Sequence, residues 1–344
     1  MCYSFAALKP AEVDPALQRL LDLSLSSDLN EEAVVKVIQR NPSAAKAKYA
    51  GGIRLGMRLD TTDYPLHITI KRGASFKAVD AIYKAYPKAI RSKCDYGRTL
   101  LHVACTRVTS PEVISLLLDA WPEALYEEDD NGFTPIFLAV QHHASLETLS
   151  LLTEACPSVI KQKDRYGRNC LHHACSNRLP SKEVATQLVS FLLEKWPDAA
   201  KEKDILCGSI PLNFACACYM PLGVIQLLLE TWPSGVKERD RRKEVFVYRG
   251  NDENIKMCLS NVASLLTTDL DHSTALKIMD DFTRIQWVGG IALLSDLYPS
   301  ILQSLERSIP FNVSSYLLFM IGQKCKLMTM FEVLRNRPDL LNVG

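Results

Sequence analysis

The chain has 344 residues, a net charge of +1 and 47% hydrophobic residues, with 23% charged. That balance describes an ordered chain and excludes a strongly basic nucleic-acid binder or a disordered charged tail. No apolar run approaches the ~20 residues that a membrane-crossing helix needs, so no membrane partner is expected.

Taken in order, Leu17 to Arg40 reads as two helices ending at Asn41-Pro42, and Tyr49–Asp60, with three glycines, reads as an enlarged surface loop. A block then begins to recur: Tyr64-Pro65-Leu66-His67-Ile68-Thr69, then Gly97-Arg98-Thr99-Leu100-Leu101-His102-Val103-Ala104-Cys105. It returns at Gly132-Phe133-Thr134-Pro135, at Gly167-Arg168-Asn169-Cys170-Leu171-His172-His173-Ala174-Cys175, and at Gly208-Ser209-Ile210-Pro211. The glycines are 35, 35 and 41 residues apart. A period of roughly 20–50 residues is the mark of stacked small units.

A second landmark keeps the register. Tyr86-Pro87, Trp121-Pro122, Cys156-Pro157 and Trp232-Pro233 each place Pro 18 residues after Thr69, Ala104, Ala139 and Ala215. Ala174 to Pro197 is 23, which puts five extra residues near Asn177–Pro180. Thr134-Pro135 suits a helix start. The small residues allow close helix approach, and Val113, Ile114, Leu117 and Leu118 follow helical spacing in a second helix that Pro122 helps to end. Each unit is therefore helix, turn, helix, protruding turn.

This block resembles the ankyrin repeat, with Asp129…Gly132…Thr134-Pro135-Ile136-Phe137, Asp164…Gly167 with Leu171-His172, and Asp95…Gly97 with Leu101-His102. It departs from the family pattern in having Trp-Pro where Gly-Ala usually closes the second helix. The resemblance implies an all-α helix-turn-helix repeat solenoid of about eight units with atypical ends. The expected single domain has an N-terminal capping unit and loop at 11–60 and regular repeats at 61–238. An irregular insertion at 239–268 and degenerate repeats with a C-terminal cap at 269–344 follow. The resemblance also gives the first-helix histidine a structural role, bonding turn backbone in the adjoining unit.

Eleven cysteines are present, and Cys105, Cys175 and Cys216 share one small slot of the first helix, where Cys acts as a small hydrophobe. Repeats stacked about 10 Å apart hold these sulfurs too far apart for a disulfide. Met1–Pro10 carries no signal-peptide pattern, so a cytoplasmic or nuclear location is expected. His102 with Cys105 and His172 with Cys175 could offer zinc ligands, but the structural reading of both types is preferred, and neither metal nor cofactor is expected. His173 stands where other units have Val103, Leu138 and Phe214, and wants a polar partner.

No nucleophile–base pair, phosphate loop or dinucleotide fingerprint is present, so the chain is read as non-enzymatic. The weaker enzymatic reading places a site in Asn251–Gly290, where the repeat is least legible. The expected function is binding another protein along the concave side of the stack. The residues that the repeat leaves free there are Tyr96, Arg98, Thr106 and Arg107; Asn131, Phe133, Gln141 and His142; and Arg165, Tyr166, Arg168, Ser176 and Asn177. Tyr, Phe and Arg among them are the types that dominate interface hot spots. The alternative is regulation of nucleic-acid-associated factors through the basic loop at 237–243, Lys237-Glu238-Arg239-Asp240-Arg241-Arg242-Lys243.

Overall fold

The computed structural model describes residues 15, 31–46, 52–54, 57–59, 63–107, 109–176, 181–241, 248–267 and 270–298. The chain packs as two compact units, residues 1–165 and 166–344.

In the first unit, α1 (Glu31–Arg40) buries Val34 and Ile38 and runs into a single 3-10 turn, Pro42–Lys46. It is the second of the two helices expected before Pro42; the first falls outside the described residues. The glycine-bearing stretch after it forms a small antiparallel hairpin, β1 (Gly52–Arg54) with β2 (Met57–Leu59), Ile53 opposite Arg58, where a loop was expected. Three helix pairs follow: α2 (Pro65–Lys71) with α3 (Phe76–Ala85), α4 (Leu100–Cys105) with α5 (Pro111–Ala120), and α6 (Pro135–Gln141) with α7 (Leu146–Ala155). The second unit repeats the pattern with α8 (Cys170–Ser176) and α9 (Lys182–Lys195), then α10 (Pro211–Ala217) and α11 (Leu222–Thr231).

The first helices are short because their ends are chemically fixed. Proline opens α2, α6 and α10, while Thr99 caps α4 by accepting from the His102 backbone N–H. After α2, α6 and α10 a left-handed residue closes the helix: Gly73, His143 or Tyr219. Thr69, Ala104, Ala139, Ala174 and Ala215 are all 1% exposed or less, so the small slot is where first helices meet. Cys105, Cys175 and Cys216 lie beside it, fully buried, and burial pushes the Cys105 and Cys216 thiols up to about 12. These thiols are inert packing groups, as expected, and the described cysteines are all free.

The closing proline does more than stop a helix. It starts a five-residue 3-10 turn each time: Pro87–Arg91, Pro122–Tyr126, Pro157–Lys161, Pro197–Lys201 and Pro233–Lys237. The turns bury small or branched pairs such as Ala124-Leu125 and Val159-Ile160 under the preceding helix. Trp121 is 8% exposed, and the Arg91 guanidinium lies 5.8 Å from its ring centre.

Beyond Pro233 the sequence reading needs correction. The stretch 239–268, expected to be an irregular insertion, contains a 13-residue helix, α12 (Glu253–Leu265), capped by the Asp252 carboxylate. Then α13 (His272–Arg284) and α14 (Val288–Leu297) pack against each other in the stretch where a worn unit was expected. The unexplained Trp287–Gly290 run has a packing role. Trp287 is 3% exposed, stacks edge-on against Phe282 and donates its indole N–H to Glu230 at 2.8 Å. Gly289 faces that same carboxylate: a methyl group there would sit 2.0 Å from Glu230 Oε1. The C-terminal cap expected around Pro310–Pro338 lies outside the described residues.

Gly167 shows why the turn needs glycine. Its φ is +71°, and a Cβ there would lie 2.8 Å from Ile205 Cγ2 in the next turn. Gly167→Ala should therefore lower stability by about 1–3 kcal/mol in urea unfolding, combining left-handed strain with a steric clash. An unchanged midpoint would show that the turn does not impose this geometry.

Candidate protein-binding surface

The surface is built on the protruding turns, so the turns come first. Asp129 sits at the base of one, 5% exposed. Its Oδ1 accepts backbone N–H from Asn131 at 2.8 Å and Phe133 at 3.0 Å, and its own N–H donates to the Phe133 carbonyl at 2.9 Å. Asp204 repeats this in the second unit, accepting from Cys207 at 3.1 Å and Ser209 at 2.8 Å. A buried carboxylate holding two backbone donors makes a rigid loop of what would otherwise be a floppy turn.

Each turn is then tied to its predecessor. Thr99 N–H donates to His102 Nδ1 at 3.1 Å, which leaves Nε2 to carry the proton and donate to the Phe133 carbonyl at 2.9 Å. His172 reaches the Ser209 carbonyl in the same way at 3.1 Å. Burial is the main reason that both imidazoles are held down to about 4, so both are neutral near pH 7. In α10 the position is Asn213, whose Oδ1 accepts from the Ile210 N–H at 2.8 Å. In α6 it is Phe137, fully buried, with its ring 6.2 Å from that of Phe133. A backbone bond between successive turns completes the link: Asp130 N–H to the Tyr96 carbonyl, Ile205 to Tyr166 and Arg241 to Cys207, each 2.8 Å.

The predicted surface residues divide on this framework. Arg98 and Arg168 are not left free by the repeat. Arg98 Nε lies 3.3 Å from Asp129 Oδ2, and Arg168 Nε lies 3.8 Å from Asp204 Oδ2. Their guanidinium groups also cover the rings of Tyr96 at 5.7 Å and, for Arg168, Tyr166 at 5.3 Å and Phe214 at 5.0 Å. Their recurrence in one slot has a structural cause. Phe133 is likewise held, half-buried, by its backbone bonds and by Phe137. Thr106 donates its hydroxyl to the Val103 carbonyl, and Gln141 is half-buried at the end of α6.

What the first unit exposes is Tyr96, 62% accessible at a left-handed turn tip, together with Arg107, Asn131, His142 and Arg165. Arg165 donates to the Asp130 carbonyl at 3.1 Å. His142 titrates below its ordinary range, first through partial burial and then through the charges of Arg98, His143 and Arg107. In the second unit Tyr166 and Ser176 are exposed, and Asn177 lies outside the described residues. Sequence reasoning missed the exposed apolar tip Ile205-Leu206, each 51% accessible, and Tyr219 at 67%. The only signal for that tip was two aliphatic residues in a turn.

The basic segment is partly consumed as well. Lys237 donates to the Leu266 carbonyl at 2.6 Å, Lys203 pairs with Glu238 at 2.7 Å, and Arg241 is bound through its backbone to Cys207. Arg242 and Lys243 lie outside the described residues. His173 is 5% exposed, within the core of α8. Among the described residues no helix is long and apolar enough to cross a membrane.

A family model described as ankyrin repeats, in three copies, matches residues 66–164. The chain carries ankyrin repeats. The ankyrin repeat domain of Bcl-3, a member of the IkappaB protein family, superimposes with a TM-score of 0.51 at 19% identity, over 72% of this chain and 98% of that one. A chain from the complex of the Bd0816 predatory endopeptidase of Bdellovibrio bacteriovorus with immunity protein Bd3460 covers 63% of this chain and 98% of its own length, at 19% identity and a TM-score of 0.46. No curated protein matches the sequence. The repeats here differ from the family pattern in the Trp-Pro closure, now seen to launch the buried 3-10 turn.

The two neutral histidines set a pH dependence. Their folded values lie below the unfolded value near 6.5, so unfolding takes up protons between about pH 6.5 and 4. Stability should be level above that window and fall on acidification through it, by up to about 1.4 kcal/mol per pH unit for each histidine. His102→Asn should flatten the fall in urea titrations between pH 7 and 5. An unaltered slope would contradict a buried neutral His102.

Proposed function

We propose that this chain is a non-enzymatic protein-interaction module. The partner is a protein segment of acidic or mixed charge, held along the turn tips and first-helix ends, the concave side expected of ankyrin stacks. One observation carries the reading. The histidine and aspartate side chains of the turns are buried in the framework, whereas Tyr96, Arg107 and His142 face solvent, with Arg98 near enough to bias His142. An exposed tyrosine with the Arg98 guanidinium over its ring, and an exposed arginine and histidine in the same unit, suit an acidic chain better than an apolar one. The Asn251–Gly290 stretch, the place of the weaker enzymatic reading, is largely helical.

The test is an affinity purification from native lysate with wild-type chain and an Arg107→Glu/His142→Glu variant. Both residues are exposed and outside the turn framework, so helical content should be unchanged by circular dichroism. Capture of the wild type's partners should fall at least about 10-fold, the equivalent of roughly 1.4 kcal/mol. Equal capture by both proteins would remove this surface from consideration. Binding lost steeply with salt and restored by nucleic acid would instead favour the basic segment at 237–243.

A further inference from the structure

The first junction of the array replaces the arginine and aspartate that two later junctions use. Three positions recur at a junction. One lies four residues before the histidine and holds Arg98 or Arg168; the second is the histidine; the third is the base of the next turn, Asp129 or Asp204. At the first junction these positions hold Asp63, His67 and Cys94. The assignment of Cys94, and not Asp95, to the turn base follows from the backbone: Cys94 N–H donates to the Arg98 carbonyl at 2.8 Å, as Asp129 does to Phe133 and Asp204 to Ser209, each at 2.9 Å. Asp63 and His67 are 0% exposed and Cys94 is 7% exposed. One ligand atom from each lies within 4.8 Å of the other two.

Where two other junctions set a guanidinium against a carboxylate, this one sets a carboxylate, an imidazole and a thiol together. We propose that a divalent metal ion of intermediate softness, zinc above all, binds here in the place that the arginine occupies elsewhere. Zinc accepts this mixture of oxygen, nitrogen and sulfur, and a hard cation such as magnesium would not choose it. Carboxylate and thiolate together carry two negative charges once the thiol proton has been released to solvent; the Lys71 ammonium offsets one of them, so the loaded site keeps one positive charge. Lys71 holds Asp63 Oδ2 at 2.7 Å, and a carboxylate has acceptor capacity for both that bond and a metal. His67 accepts the Tyr64 N–H at Nδ1, 3.3 Å, and bonds the Ser92 carbonyl from Nε2, 3.2 Å. Metal at either nitrogen displaces one of these bonds, while the other fixes the ring. The site would lock the first regular repeat to the second, so its role is structural.

The test uses the full chain after chelation, with zinc or cobalt(II) alone as probe. Wild type should bind one equivalent, show the charge-transfer absorption of a cobalt–thiolate bond, and melt at least about 3 °C higher with zinc. Cys94→Ser should abolish the absorption and the melting shift, and Asp63→Asn should weaken binding at least about 10-fold. A Cys207→Ser/Cys218→Ser variant, lacking two exposed thiols, should behave as wild type. Should Cys94→Ser fail to fold, X-ray absorption of zinc-loaded wild type decides: a mixed oxygen, nitrogen and sulfur shell supports the site, and an all-sulfur or all-oxygen shell overturns it. No binding by wild type, or equal binding by Cys94→Ser, also overturns it.

Discussion

The structure depends on polar links that buried histidines of α4 and α8 make to the protruding turns that follow them. Hydrophobic burial alone does not fix the register of one small unit on the next, because branched aliphatic surfaces can slide. A buried imidazole donating to one particular carbonyl cannot. His102 reaches Phe133, and His172 reaches Ser209, only when the Asp-based turn beyond it is correctly formed. The arginine at the start of the same block then adds a charge to the back of that aspartate. Turn conformation, helix capping and unit-to-unit docking are thus satisfied by three side chains. That economy explains why so short a helix, six residues in α4, is stable in place.

Much of this was legible in the sequence because repetition multiplies weak signals. A single Gly-Arg-Thr-Leu-Leu-His block means little, but four in register, three of them with a Pro at constant spacing, define a unit. The small slot at Ala104, Ala139, Ala174 and Ala215, the buried cysteines beside it and the structural histidine could all be assigned from position alone. The proline-launched 3-10 turn could have been. The small or branched pair after each proline, Ala-Ile, Ala-Leu, Val-Ile and Ala-Ala, is a repeated signal that reading Pro as a terminator hides.

The candidate surface was harder to read, and for a physical reason. Recurrence marks what the fold needs, so a recurring charged residue is as easily a structural partner as a binding group. Arg98 and Arg168 recur because Asp129 and Asp204 are buried, whereas Arg107 and His142, which differ between units, are turned to solvent. The identity of Cys94 as a turn-base residue was masked by the neighbouring Asp95, which satisfies the family pattern by eye but sits one position late. Irregular segments failed differently. The helix α12 lacks the flanking landmarks of a repeat, although Asp252 before Glu253 is an ordinary helix start.

The account stands most directly on the coupling across one junction. A double-mutant cycle of Arg98→Met and Asp129→Asn in urea unfolding measures it, since each substitution removes one side of the link. The account predicts a coupling energy of at least about 1 kcal/mol that persists in high salt, as expected for a pair whose carboxylate is buried. Additive effects, with coupling indistinguishable from zero, would mean that the Arg98–Asp129 pair does not help to hold neighbouring repeats in register.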